Sequence, residues 1–191
     1  MGNLAELAGV NSITPFEDPT RVKPAPFQYH APRAKAEALQ LLASQPDARV
    51  LAGGQSLMPM MNFRYVMPDH VVDIIKIGDL SFIRREGDNL VLGAMTRQRD
   101  LEFSGEVARH LPLLQAALAH VGHRQTRNRG TLGGSLCHLD PSAELANIAA
   151  LLGATLHAAS QRGTRDIAFT DFAAGYMTTS LEPDEILAGV S

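Results

Sequence analysis

The chain of 191 residues has a single cysteine, Cys137. One thiol cannot build a disulfide framework, a thiolate zinc site or a four-cysteine iron–sulfur cluster within one chain. The sequence therefore reads as cytoplasmic. Long apolar runs are also missing: none approaches the roughly 20 residues of a membrane span, and no membrane insertion is expected. No excess of positive charge exists, since 17 Lys and Arg stand against 20 Asp and Glu for a formal net charge of -3. Nucleic acid is thus not an expected partner. Residues 1–21 lack the basic start and apolar stretch of a signal peptide. Two nucleotide fingerprints are absent as well. Without G-x-G-x-x-G the Rossmann mode of dinucleotide binding is unsupported, and without G-x-x-x-x-G-K-S/T a P-loop nucleotidase is excluded.

What is present suits a globular protein: 45% of residues are hydrophobic, 19% are charged, and the mean hydropathy is -0.04. The length allows one large domain or two small lobes sharing a core. In residues 1–26, Pro15, Pro19 and Pro24 break any period, which reads as a tail with weak helical potential over 3–8. Pro32 can open a helix with Ala38, Leu41 and Leu42 at a helical step, ending by Gln45 ahead of Pro46. Strands are predicted over 49–52 and 70–73, with a short helical segment from Leu57 between them. Residues 82–86 and 90–93 flank Gly87-Asp88-Asn89, a hairpin signal. Helices are predicted over 98–103 and 112–121, followed by an irregular, basic, glycine-rich stretch over 122–135. Asp140-Pro141 supplies an N-cap and a first-turn proline for a helix to about Leu152. A second hairpin over 155–168 and a strand over 186–190 complete the chain. Helices alternating with hairpins predict an α+β fold with a mixed sheet.

Two loops carry the candidate chemistry. Ala52-Gly53-Gly54-Gln55-Ser56 follows a strand, and its paired glycines let the backbone turn tightly and let a ligand approach. Amides in such a turn can converge on phosphate oxygens, with the Ser56 hydroxyl as a further donor. Alone, such a loop is more often simply a turn. Thr131-Leu132-Gly133-Gly134-Ser135 repeats the ingredients about 80 residues later. Two such loops suggest one extended diphosphate gripped from two sides, and without a Rossmann signature the ligand that fits is FAD.

The two segments Val50-Leu51-Ala52-Gly53-Gly54-Gln55-Ser56-Leu57 and Arg127-Asn128-Arg129-Gly130-Thr131-Leu132-Gly133-Gly134-Ser135-Leu136 resemble the two flavin motifs of a known family. That family comprises the FAD-binding medium subunits of carbon monoxide dehydrogenases and xanthine dehydrogenase-like molybdenum hydroxylases. Supporting stretches are Lys23-Pro24-Ala25-Pro26-Phe27, His138-Leu139-Asp140-Pro141-Ser142-Ala143-Glu144-Leu145, Gly175-Tyr176 and Leu181-Glu182-Pro183-Asp184-Glu185-Ile186-Leu187. The resemblance implies a PCMH-type (vanillyl-alcohol-oxidase-like) FAD-binding domain of two α/β lobes with mixed sheets. The small lobe would be 22–79 and the larger 80–191, after a disordered extension over 1–21. The family's C-terminal domain would be missing.

By position, Val50, Leu51, Ala52, Gly53, Gly54, Gln55, Ser56 and Leu57, with Thr131, Leu132, Gly133, Gly134 and Ser135, would hold the FAD diphosphate non-covalently. Glu144 would accept hydrogen bonds from ribose hydroxyls, or simply complement a helix dipole. Leu187 would lie beside the flavin, and Tyr176 is a candidate ring neighbour. The implied function is electron transfer in an oxidoreductase complex. A molybdopterin-binding large subunit and an iron–sulfur small subunit would carry the molybdenum cofactor and 2Fe–2S clusters, and NAD, oxygen or another acceptor would take the electrons. The alternative is a truncated flavin-binding or assembly module without turnover. No residue stands out as an acid, base or nucleophile for substrate chemistry. His120 and His123 have ligand spacing but no third partner, so no metal site is expected. Arg124, Arg127 and Arg129 either steer an anion or form a solvated basic loop. Cys137 reads as a buried inert thiol.

Overall fold

Residues 22–191 are described in a computed structural model, and the expected N-terminal tail over 1–21 lies outside the described residues. Three short strands open the structure: β1 (Gln28–His30), β2 (Ala48–Leu51) and β3 (His70–Asp73). They form a parallel sheet in the order β1-β3-β2. Parallel neighbours need a crossover that covers a face of the sheet. Helix α1 (Lys35–Ser44) joins β1 to β2 and buries Ala38, Leu39 and Leu42, while α2 (Leu57–Asn62) lies between β2 and β3. The Gln45 amide closes α1 on the Leu41 carbonyl at 2.9 Å, one residue before the proline that forbids continuation.

A 3-10 turn at Gly78–Leu80 leads into a second sheet. Its strands β4 (Ile83–Glu86), β5 (Asn89–Gly93), β6 (Thr155–Ser160), β7 (Gly163–Ala168) and β10 (Ile186–Val190) are ordered β4-β5-β10-β6-β7, all antiparallel. Glu86 pairs with Asn89, so the first hairpin turns on Gly87-Asp88, and Gly87 has the positive φ of 61° that a primed turn requires. Both kinds of pairing are present in the α/β fold, but each is confined to its own sheet, so neither sheet is itself mixed as expected.

Six helices fill the excursion between β5 and β6: α3 (Gln98–Glu102), α4 (Gly105–His110), α5 (Pro112–Leu118), α6 (Arg124–Arg129), α7 (Leu132–His138) and α8 (Glu144–Leu151). Helix α9 (Phe169–Phe172) and a small hairpin, β8 (Ala173–Gly175) with β9 (Thr178–Thr179), precede β10. One core packs the helical layer on the second sheet, with Leu101, Leu118, Leu136, Leu156 and Phe172 wholly buried. Another joins the two sheets. It sets Ala38, Leu42, Val72 and Ile77 from the first part of the chain against Met95, Ala159 and Ile186 from the second.

Several boundaries depart from expectation. The stretch 122–135 is largely helical, not irregular. Helix α6 buries no residue of its own but is tied down by Arg127, whose guanidinium bonds the Glu102 carboxylate at 2.9 and 3.2 Å. Helix α8 begins at Glu144, four residues after the expected cap. Asp140 instead accepts the Ser142 amide and hydroxyl, each at 2.8 Å, and Leu139 turns the chain with φ 50°. A local Asx turn has outcompeted the helix start. Strand β1, helices α4 and α9 and the β8–β9 hairpin carry no strong periodic signal and were not anticipated.

Candidate functional site

Strand β2 ends at Leu51, and the chain leaves the carboxyl edge of the parallel sheet, the edge where open α/β sheets bind ligands. Gly53 is buried at this point. A Cβ there would overlap the Arg129 carbonyl oxygen and lie 2.9 Å from Gly130 Cα, so the loop rests backbone to backbone on the C-terminal end of α6. Gly54 takes φ 72°, in the left-handed region that disfavours a side chain. Among the described residues, the amides of Gly53, Gly54, Gln55, Ser56 and Leu57 donate to no protein acceptor. The first internal bonds of the turn are those of the Met58 amide to the Gly54 carbonyl, 3.3 Å, and the Met60 amide to the Ser56 carbonyl, 3.2 Å.

The second glycine pair lies within the first turn of α7, and there the amides are already engaged. Leu132 N–H donates to Thr96 O at 3.0 Å, Gly133 N–H to Ala94 O at 2.8 Å and Ser135 N–H to Thr131 O at 3.2 Å. Gly134 N–H donates to the Thr131 hydroxyl at 3.1 Å, an N-cap bond. Gly133 is glycine because its backbone sits on Ala94: a Cβ would come within 2.6 Å of the Ala94 Cβ. Gly134 faces the first loop, where a Cβ would reach the Ala52 Cβ at 3.6 Å. The fold therefore brings the two loops into one seam and divides the work between them. The first offers free donors, and the second supplies a rigid wall whose half-exposed surface is Gly134 and Ser135.

Arg97, which the sequence reading missed, lies at the same seam. Its guanidinium donates to the Arg129 carbonyl, the oxygen against which Gly53 packs, and Arg97 also bridges Thr131 across the backbone. Burial pulls its pKa below the ordinary value, and the nearby Arg129 charge adds to this, against opposing pulls from Asp100 and Asp73. Gln98 completes the corner: its amide bonds Gly130 O at 3.0 Å, and its side-chain oxygen is buried without a partner. The local sequence gives no sign of either role, since both residues precede an unremarkable short helix.

The sequence matches a family model described as the FAD binding domain in molybdopterin dehydrogenase, over residues 25–191. The chain belongs to this family. It is 39% identical over 171 residues to the 6-hydroxypseudooxynicotine dehydrogenase complex subunit alpha of Paenarthrobacter nicotinovorans, covering 89% of this chain and 58% of that protein. To the carbon monoxide dehydrogenase medium chain of Hydrogenophaga pseudoflava it is 39% identical, over 87% of this chain and 58% of the relative. Among solved structures it is similar to quinoline 2-oxidoreductase from Pseudomonas putida 86, with TM-score 0.86 and 44% identity over 88% of this chain and 59% of that one. The chain thus spans a little under three fifths of the length of these relatives.

For a domain of this FAD-binding family the seam is chemically apt: unpaired amides on a glycine turn suit phosphate oxygens. Other residues singled out in the sequence lie further off. Glu144 is half-buried in the first turn of α8 with no hydrogen-bond partner among the described residues. Helix α7 and the turn at Asp140 lie between it and the seam along the chain. Leu187 is buried in the large core. Its neighbour Ala188 accepts the Ala94 amide at 3.0 Å, and Ala94 in turn accepts Gly133, so β10 stands one strand behind the wall. Tyr176 is largely exposed and lines a separate, mostly apolar cavity with Leu139, Asn147 and Phe169.

Among the described residues no cluster of metal-ligating side chains occurs around His120 and His123 or elsewhere, and no helix is long and apolar enough to cross a membrane. Cys137 packs on the large core, and burial pushes its thiol up to about 12, so it stays protonated at neutral pH. On the face of the second sheet, His157 contacts Asp166 at 2.7 Å and the Ser191 hydroxyl at 3.1 Å. This chain of three resembles a hydrolytic triad only in residue type: the Asp166 side chain is 70% exposed, and no pair of free amides faces Ser191, whose own amide bonds Thr155 O.

Proposed function

We propose that the chain is the flavin-holding part of the medium subunit of a molybdenum hydroxylase complex. The carrying observation is the seam itself, where Gly53 packs on Arg129 and Gly130 beside five unpaired amides. On this reading bound FAD takes electrons from 2Fe–2S clusters of a small subunit, supplied by the molybdenum cofactor of a large one, and passes them to NAD, oxygen or another acceptor. The residues of this chain bind and orient. Gly53 through Leu57 would donate amides to the diphosphate, and Gly134 and Ser135 would close its other side. Glu144, one helix away, would accept from ribose hydroxyls. Leu187 would support the flavin from within the core. Residues 22–79 and 80–191 would act as the two lobes, with FAD in the cleft, in a cytoplasmic complex.

The single cysteine of the chain is too few ligands for an iron–sulfur cluster, which agrees with clusters carried by a partner. The test is to purify the chain alone and with its neighbouring gene products and record flavin absorption. Flavin that is retained, and released wholly to the supernatant on denaturation, supports non-covalent FAD binding. Reduction of the bound flavin only when cluster-bearing partners and substrate are present supports the electron-transfer role. Absence of flavin in both preparations would leave an assembly module in its place.

A further inference from the structure

Helix α6 buries no residue of its own and is held to the body of the protein by Arg127 on Glu102. Its other side carries Arg124, Gln125, Asn128 and Arg129, all exposed, since residues four apart stand on one face of a helix. His120 and His123, also exposed, lie on the turn that leads into it. From Val107 to Leu139 the chain has no Asp or Glu, although it has 20 of them elsewhere. Among the described residues Arg124 and Arg129 make no salt bridge, and the carboxylates that precede this stretch, Glu102 and Glu106, are engaged by Arg127 and Arg109. Arg124 is also a poor choice for the helix itself. It occupies the first helical position, no acidic residue stands in that turn, and the His123 cap makes no side-chain bond. A cation there is opposed by the positive end of the helix, and a local rule broken without gain to the fold marks a functional position. The face borders the flavin seam, because the Arg129 carbonyl is the surface on which Gly53 rests.

We propose that the outer face of α6 is a docking surface for the acidic face of a protein, the redox partner that exchanges electrons with the flavin. The number of charges selects among anionic partners. Recognition of an acidic membrane takes clusters of about 4–8 Lys and Arg, and duplex binding takes about 6–10 phosphate contacts. This face offers the permanent charges of Arg124 and Arg129 among Gln125, Asn128 and two imidazoles. For a protein interface that is enough, because a few rim charges steer the encounter and fix its register, and the amide side chains donate to carboxylates between the arginines. The identity of the partner rests on the FAD reading above, whereas the surface rests on the charge pattern.

The test mixes the full chain with the purified iron–sulfur partner at several salt concentrations and records the association rate and the flavin content. A polyglutamate peptide, phosphatidylglycerol vesicles and a DNA duplex serve as separate probes. Arg124→Glu is the primary variant, because an acid at the helix N-terminus should not lower the melting temperature. Gln125→Glu adds an acid to the same face, Arg124→Lys keeps the charge, and Arg84→Glu on β4 controls for net charge. Association with the partner should be about tenfold slower in Arg124→Glu, with a shallower salt dependence. It should also be slower in Gln125→Glu and match the parent in Arg124→Lys and Arg84→Glu, with flavin content unchanged throughout. Equal rates and salt slopes for Arg124→Glu and the parent overturn the docking surface while the FAD reading stands. If the parent holds no flavin but docks in an Arg124-dependent way, the surface stands and the FAD reading falls. Arg124-dependent binding of vesicles or duplex, with polyglutamate ignored, overturns the choice of a protein partner. No association of the parent with the partner overturns the proposal outright.

Discussion

Gly53 and Arg129 touch through their backbones, across 76 positions of sequence, with no room for a Cβ between them. This contact joins the parallel sheet to the helical layer and creates the seam. It also makes the two glycines of the first loop unequal, since Gly53 is constrained by a neighbour and Gly54 by its own backbone angle.

Gly53→Ala should therefore be the more damaging change. Its Cβ meets fixed backbone, and a loss of about 2–4 kcal/mol is expected. Gly54→Ala meets only the Met58 and Leu51 side chains, at 3.2 and 3.3 Å, and should cost about 1–2 kcal/mol through its left-handed φ. Denaturant unfolding of the two apo variants checks the order; equal losses would contradict it.

The cap on α7 predicts a selective effect at Thr131. Thr131→Val removes the acceptor for the Gly134 amide and should lower stability by about 1–2 kcal/mol, whereas Thr131→Ser should be nearly neutral. Thermal melts of both variants measure this.

Arg127→Leu should destabilise far more than Arg124→Leu. The Arg127 and Glu102 side chains are only 12% and 14% exposed, and removing Arg127 leaves the largely buried Glu102 carboxylate with only the longer contact to Arg99, 3.7 Å, at a cost of about 2–4 kcal/mol. Arg124 is exposed, so its replacement should stay within about 0.5 kcal/mol of the parent. Chemical denaturation midpoints decide between them.

Acid should loosen the segment ahead of β10. Glu185 accepts from the Arg165 guanidinium in two bonds of 2.8 Å, and these bonds, against the opposing pull of burial, hold its carboxyl below the ordinary value. A folded-state pKa below the unfolded one contributes stability that is fully present above about pH 4.3. That contribution is lost as pH falls through the folded value. Glu185→Gln should be less stable than the parent at neutral pH, and the difference should shrink on acidification. Melting temperatures of both proteins across the acid range test the sign.

Cys137 should resist alkylation. With its thiol pushed up to about 12, the thiolate fraction at neutral pH is negligible. Labelling by iodoacetamide at neutral pH should be much slower in the native protein than in denaturant; equal rates would contradict the raised thiol pKa.

Much of the fold was legible in the chain. Strand β3 was predicted over its observed range, and the helix after Pro32 and both hairpins of the second sheet followed from periodicity and turn residues. The stretch 122–135 was not, because two consecutive glycines and a run of polar residues argue locally against helix. Helices α6 and α7 stand there because Glu102 holds Arg127 and because Ala94 and Thr96 accept the first amides of α7. Those partners lie 25 to 39 residues earlier in the sequence.

The sequence by itself determined that two glycine loops exist, that no cluster or Rossmann site can be built, and that the chain belongs with flavin-binding domains. Only the tertiary structure decided how the loops divide their roles. A backbone amide is free or consumed according to the acceptors that packing brings to it. The amides of Gly53 through Leu57 meet none, while those of Leu132 through Ser135 are all taken. The placement of Arg97 beside Arg129 has the same origin, since a charge acts on whatever stands near it in space, and these two are 32 residues apart along the chain.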